Sequence, residues 1–135
     1  VALVRNMTTR EEIPHEPGEW MELRRLSYAQ LREAAEARSR QVMATARDLG
    51  PAFMRELRSL PSETQEAVQT AAADPLNDYD LGLLLRHGIV AWSYPEPVPL
   101  DPAAELDPET AEWAGRAILR LCGIGREAED DRKNA

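Results

Sequence analysis

Apolar residues in this chain recur mostly at helical spacing. From Tyr28 to about Asp48 there is neither Pro nor Gly, and Leu31, Ala35, Val42, Ala46 and Leu49 fall on one narrow face at steps of three, four or seven. Ser27 followed by Gln30 forms a capping box at its start, and Gly50-Pro51 supplies a left-handed stop and a barrier to continuation. The stripe is thin and rich in Ala, so it predicts close packing against a neighbour. Pro51 suits the first position of a second helix, with Phe53, Met54, Leu57 and Leu60 as its apolar face. Pro61-Ser62 breaks and recaps the chain, Ser62 with Gln65 reads as a second capping box, and Ala67, Val68, Ala71 and Ala72 continue a short helix. Asn77 or Asp78 is placed to cap a fourth helix over Tyr79–His87, where Leu81, Leu83, Leu84 and Leu85 are crowded enough to be buried on most sides. Asp107-Pro108-Glu109 opens a fifth by the rule of a cap followed by Pro. Its broad face is Ala111, Trp113, Ala114, Ala117, Ile118, Leu121 and Cys122, ending at Gly123.

Two stretches break the helical period. Glu16-Pro17-Gly18-Glu19 has type II turn chemistry, and Met21, Glu22, Leu23 and Arg24 alternate as a half-buried strand does. Residues 11–24 therefore predict a small hairpin whose first arm is held to an edge by Pro14. Ile89 to Tyr94 is a strand or an extended segment, and Pro95 to Asp107, with Pro95, Pro97, Pro99 and Pro102, is an irregular loop. The expected architecture is a mainly α, single helical domain of about five helices over residues 11–123. It carries a short N-terminal β-hairpin and a proline-rich loop, between a flexible arm at 1–10 and a charged flexible tail at 124–135.

Composition narrows the function classes. The 135 residues fit one domain, and the seven aromatics leave the core to Leu, Ala, Ile, Val and Met. The net charge of −8 repels phosphate backbones, and the one basic cluster, Arg24-Arg25 with Arg32 and Arg38 beyond, is diluted by Glu, so no nucleic-acid partner is expected. The apolar runs are too short to span a bilayer, so no membrane partner is expected. The lone Cys122 allows no internal disulfide, reads as a small buried hydrophobe, and points with the absence of a signal sequence to a cytoplasmic protein.

Catalytic and metal constellations are missing from the pattern. His15 lies in the hairpin, and His87 in the last helical turn before Gly88 complements the helix dipole. The two histidines are 72 positions apart and form no His-x-x-x-His pair. Asp74, Asn77, Asp78 and Asp80 resemble a calcium loop but lack its Gly and terminal Glu, and read as solvated caps. There is no phosphate-cradling glycine loop and no nucleophile elbow. No catalytic, cofactor-binding or metal-binding residue is assigned, and no cofactor. The hairpin turn and the proline-rich loop hold the candidate protein-binding residues: Glu16 and Glu19 as an acidic rim beside the anchor Trp20, and Pro97 with Val98 in a segment already restricted before docking. Trp20, Trp92 and Trp113 have a core reading as well.

The run Ile13 to Trp20 leading into Leu23-Arg24-Arg25-Leu26-Ser27, the stretch Leu84 to Tyr94, the segment Leu106 to Ala114 and the hydrophilic end Glu129 to Asn134 are similar to small proteins of bacteriophage and prophage tail-gene clusters. In kind the chain resembles a tail assembly chaperone. That resemblance implies a non-enzymatic factor in tail morphogenesis that binds tape-measure or tail-tube proteins in the host cytoplasm, with self-association possible. A structural component of the tail or head–tail junction, found in the virion, and a small helical regulatory protein are the alternatives.

Overall fold

The structure, a computed structural model, describes residues 8–72 and 74–124, apart from the side chains at 54, 57 and 68–72. The expectations for an arm at 1–7, a tail at 125–135, and apolar faces that include Met54, Leu57, Val68, Ala71 and Ala72 lie outside the described residues.

The hairpin forms as its turn chemistry dictates. β1 (Thr8–Glu12) pairs antiparallel with β2 (Trp20–Arg24), with Glu12 opposite Trp20 and Thr8 opposite Arg24. The Glu19 amide donates to the Glu16 carbonyl at 3.0 Å, and Gly18 takes the positive φ of 85° that a type II turn requires. Pairing begins at Thr8, so residues 8–10 belong to the sheet and not to the arm expected there. β1 ends before Pro14, at the sheet edge. β3 (Ile89–Trp92) is a true strand and adds to β2, giving a sheet of order β1-β2-β3 with a bulge between Glu22 and Leu23. Alternation along β2 sends Met21 and Leu23 into the core and leaves Trp20, Glu22 and Arg24 on the outer face.

Among the described residues there are four helices rather than five: α1 (Tyr28–Arg58), α2 (Ser62–Ala72), α3 (Leu81–Gly88) and α4 (Pro108–Leu121). The first two expected helices run together as α1, bent at Gly50, whose φ of 70° and ψ of −179° are open to Gly and costly for other residues. The Ser27–Gln30 capping box closes in both directions, at 2.9 and 3.2 Å. Ser62 and Gln65 do not make one. The Gln65 carboxamide reaches back and donates to the carbonyls of Arg58 (3.0 Å) and Leu60 (2.7 Å), satisfying the orphan end of α1. α3 starts later than expected because Asp80, not Asn77 or Asp78, accepts from the Leu83 amide. Asp74 caps a short 3-10 turn, Pro75–Asp78, in between. α4 starts where its signal placed it, with Asp107 as cap. It ends in a Schellman motif in which Ile124 N–H reaches Leu119 O and Gly123 N–H reaches Arg120 O.

The core lies where α3 packs on α1 and α4, and α4 meets the inner face of β2. Met21, Leu23, Leu84, Leu85, Ile118 and Leu119 are essentially inaccessible, and Ile13, Leu26 and Ala34 close its sides. Each such side chain contributes about 1.5–3 kcal/mol on burial. Leu81 and Leu83 are half-buried against it, so α3 is enclosed on most of its surface as its sequence predicts. α1 departs from expectation. Only its first half docks, through Leu31 and Ala34, while every described side chain from 41 to 59 is exposed apart from Gly50. Val42, Ala46 and Leu49, expected as a packing stripe, are exposed, with no described element packed on them.

Candidate functional site

The hairpin turn and the start of the proline-rich loop, 73 to 78 positions apart in sequence, lie against each other. Tyr94 Oη donates to Glu16 Oε2 at 2.8 Å. The Ser93 hydroxyl donates to Glu19 and accepts the Trp20 amide at 2.9 Å. Burial pushes the Tyr94 phenol well above its ordinary value, and the bond to Glu16 adds to the shift. Of the five candidate binding residues, Glu16 and Glu19 thus fasten the loop to the sheet. Trp20 stands half-exposed on the outer face with the Arg10 guanidinium 3.8 Å from its ring centroid. Pro97 is exposed, and Val98 is half-buried against the core. None of Trp20, Trp92 and Trp113 is fully buried. Trp92 Nε1–H donates to the Glu96 carbonyl at 2.6 Å, and its ring meets Tyr94 edge-on with centroids 5.6 Å apart.

A second polar cluster joins the turn to α4. His15 Nε2 lies 2.7 Å from Thr110 Oγ1, and that hydroxyl donates to Asp107 Oδ1 at 2.6 Å. With the Thr110 proton given to Asp107, His15 Nε2 carries the proton it shares with the hydroxyl. A nucleophile needs the opposite arrangement, with the imidazole taking the proton, and Thr110 is wholly buried. The Asp107 carboxyl is held below its usual value mainly by the Thr110 hydroxyl. Ligand atoms of His15, Asp107 and Glu109 lie within 4.8 Å of one another. The sequence carried no signal of this grouping, since 92 or more positions separate His15 from the other two. Thr110 already occupies both Asp107 oxygens, and the positive end of α4 opposes a cation there.

The arginines read as a basic cluster are dispersed. Arg24 donates twice to the His87 carbonyl, at 2.7 and 3.2 Å, Arg32 pairs with Glu36, and Arg38 donates to the Asn77 carbonyl. His87 Nε2 is buried without a hydrogen bond, with Glu33 Oε2 out of line at 3.3 Å. Cys122 is half-buried, accepts the Leu26 amide at 3.4 Å, and has its thiol pushed up by burial.

The third feature is α1 itself. Leu31, Ala34, Arg38, Val42, Thr45 and Leu49 follow one another at steps of three or four along one side. Over its first half this seam is covered: the Asp80 amide donates to Ala34 O, Arg38 holds Asn77, and Gln41 donates to the Asp80 carboxylate. Beyond Gln41 the seam continues uncovered by any described element, with Val42 49%, Leu49 45% and Phe53 37% accessible and Met43, 62% accessible, beside it. The bend at Gly50 makes a concavity of about 240 Å³ lined by Val42, Thr45, Ala46, Leu49 and Phe53, with Arg38 at its rim.

Among the described residues no helix is long and apolar enough to cross a membrane. No family model, curated protein or solved structure matches the chain.

Proposed function

We infer that the chain is a non-enzymatic protein-binding factor whose docking surface is the uncovered half of the α1 seam. The observation that carries this reading is the continuity of the seam. Its first half holds α3 and the turn before it with an apolar stripe edged by hydrogen-bond donors, and the same stripe runs on over Val42, Thr45 and Leu49, which are exposed and have nothing packed against them among the described residues. Surface that would otherwise be buried in a helix–helix contact is costly to leave in water, and a contiguous apolar patch on a soluble chain marks an interaction site. The occupant that fits is a helix of a partner protein, seated in line with α3 and placing a large apolar side chain in the concavity at Gly50. The His15–Thr110–Asp107 chain is committed to capping α4, which supports a non-catalytic role.

The similarity to tail assembly chaperones nominates the first partners to try, a tape-measure or tail-tube protein. Co-expression of the tagged chain with each tests this. A complex with one of them that is lost in Val42→Glu/Leu49→Glu, with circular dichroism unchanged, is the expected result. An equally abundant complex with the double variant removes α1 as the surface. Mass spectrometry of purified virions separates an assembly factor, absent from the particle, from a structural component present in fixed copy number.

A further inference from the structure

The sheet has two edges, and they differ in chemistry. β1 carries Arg10, Glu11 and Glu12, charges of the kind that discourage another strand from pairing. β3 is Ile89-Val90-Ala91-Trp92, without a charge, and no strand lies beside its outer edge among the described residues. The Ser93 amide bonds inward to the Trp20 carbonyl. Alternation along an antiparallel strand therefore turns the N–H and C=O of Trp92 outward, away from β2. Val90 is the residue left over at the bulge and is 44% accessible.

An open groove of about 410 Å³ follows this edge. Val90 at the bulge, Ala91 and Trp92 line it, and the outward N–H and C=O of Trp92 lie on that side of the strand, away from β2. Its far wall is Pro95 to Val98, fixed in place by the bond from Trp92 Nε1 to the Glu96 carbonyl and by the bond from Tyr94 to Glu16. The groove is thus formed before anything enters it, which lowers the ordering cost of binding. Glu96 is the only charged residue among those lining it.

We propose that β3 and the Pro95–Val98 wall form a second binding site, distinct from α1, that takes an extended peptide segment bearing basic side chains by strand addition. Outward backbone groups select an extended chain over a helix, whose own N–H and C=O groups are already paired. Four strand residues span about 13 Å, which matches four or five residues of ligand. The Glu96 carboxylate and the exposed part of the Trp92 ring both favour lysine or arginine over acidic side chains.

The test is an amide NMR titration of the full chain with a six-residue peptide alternating lysine and valine. Saturable shifts centred on Val90, Trp92 and the Trp92 indole N–H are expected. Binding should weaken at least tenfold when alternate peptide amides are N-methylated, and at least tenfold when lysine is replaced by glutamate. Glu96→Lys should weaken the lysine peptide at least threefold, with the spectrum otherwise unchanged. Equal binding by the N-methylated peptide overturns strand addition, and equal binding by the glutamate peptide overturns the charge preference. Shifts centred on α1, no shifts at millimolar peptide, or a dimer formed through the same amides without peptide each overturn the site.

Discussion

Tyr94 donates its phenol hydrogen to Glu16 Oε2 at 2.8 Å, and through that bond a turn and a loop far apart in sequence become one surface. The partner is charged and the site is half-buried, so Tyr94→Phe should cost about 1 kcal/mol. Denaturant midpoints at neutral pH check this. Because the folded state keeps the phenol protonated beyond its ordinary range, the contribution is complete below the unfolded value near 10 and is lost as pH rises above it. The stability gap between wild type and Tyr94→Phe should therefore be flat from neutral pH to about 10 and narrow above that.

Leu84 and Leu85 are both inaccessible at the centre of α3. Leu84→Ala and Leu85→Ala should each cost about 2–5 kcal/mol, read from denaturant unfolding. Leu49→Ala, on the uncovered seam, should stay within about 0.5 kcal/mol of wild type.

Gly88 and Gly115 are both buried where helices cross, yet they should differ. A Cβ at 88 would lie 2.4 Å from Ile118 Cδ1, 2.8 Å from Cγ1 and 3.1 Å from Cγ2, and a β-branched side chain has little freedom to yield. At 115 it would meet only the Cδ tips of Leu81 at 2.5 Å and Leu76 at 2.9 Å, with Leu84 Cδ1 at 4.0 Å. Leucine tips can rotate, and alanine gains about 1 kcal/mol of helix propensity there. Gly88→Ala is expected to destabilise by about 1–3 kcal/mol and Gly115→Ala by less, measured in the same denaturation series.

What was legible in the sequence was local. Pro17-Gly18 marked its turn and Ser27 with Gln30 and Asp107-Pro108 marked two helix starts, because each acts through backbone groups within four residues; Gly50-Pro51 marked the position of the bend, though it predicts two separate helices there. Where several cap-competent residues run together, from Asp74 to Asp80, composition alone could not choose among them, and the packing of Asp80 against Ala34 and Gln41 decides. The stripe on α1 was legible as a stripe, but a helical period says that a face is apolar and not whether this chain covers it. The pairings His15–Thr110, Glu16–Tyr94 and Glu19–Ser93 left no mark, because nothing local requires them.

Acid should weaken the fold partly through Asp74. Its carboxyl is held below the usual carboxylate range chiefly by the hydrogen bond from Arg116, 2.7 Å away. A depressed folded pKa contributes stability that is present above the unfolded value near 4 and is lost as pH falls through the folded one. The pair is partly exposed and screened, so the contribution is under about 1 kcal/mol. Asp74→Asn should be slightly less stable than wild type at neutral pH, with the gap closing below pH 4 in thermal melts across that range.

Site-specific photo-cross-linking in cells probes the proposed docking seam on one side of α1 beyond Gln41. A photoreactive side chain is placed in turn at Val42, Thr45 and Leu49 on the seam, and at Arg40, Ala44 and Arg47 on the far side. At 100° per residue, Arg40 and Arg47 lie about 160° and about 140° around the helix from Val42. One protein is expected to cross-link from all three seam positions and from none of the other three, a pattern with the period of the helix. Cross-linking that is uniform around the helix, or absent from the seam, would place the docking surface elsewhere.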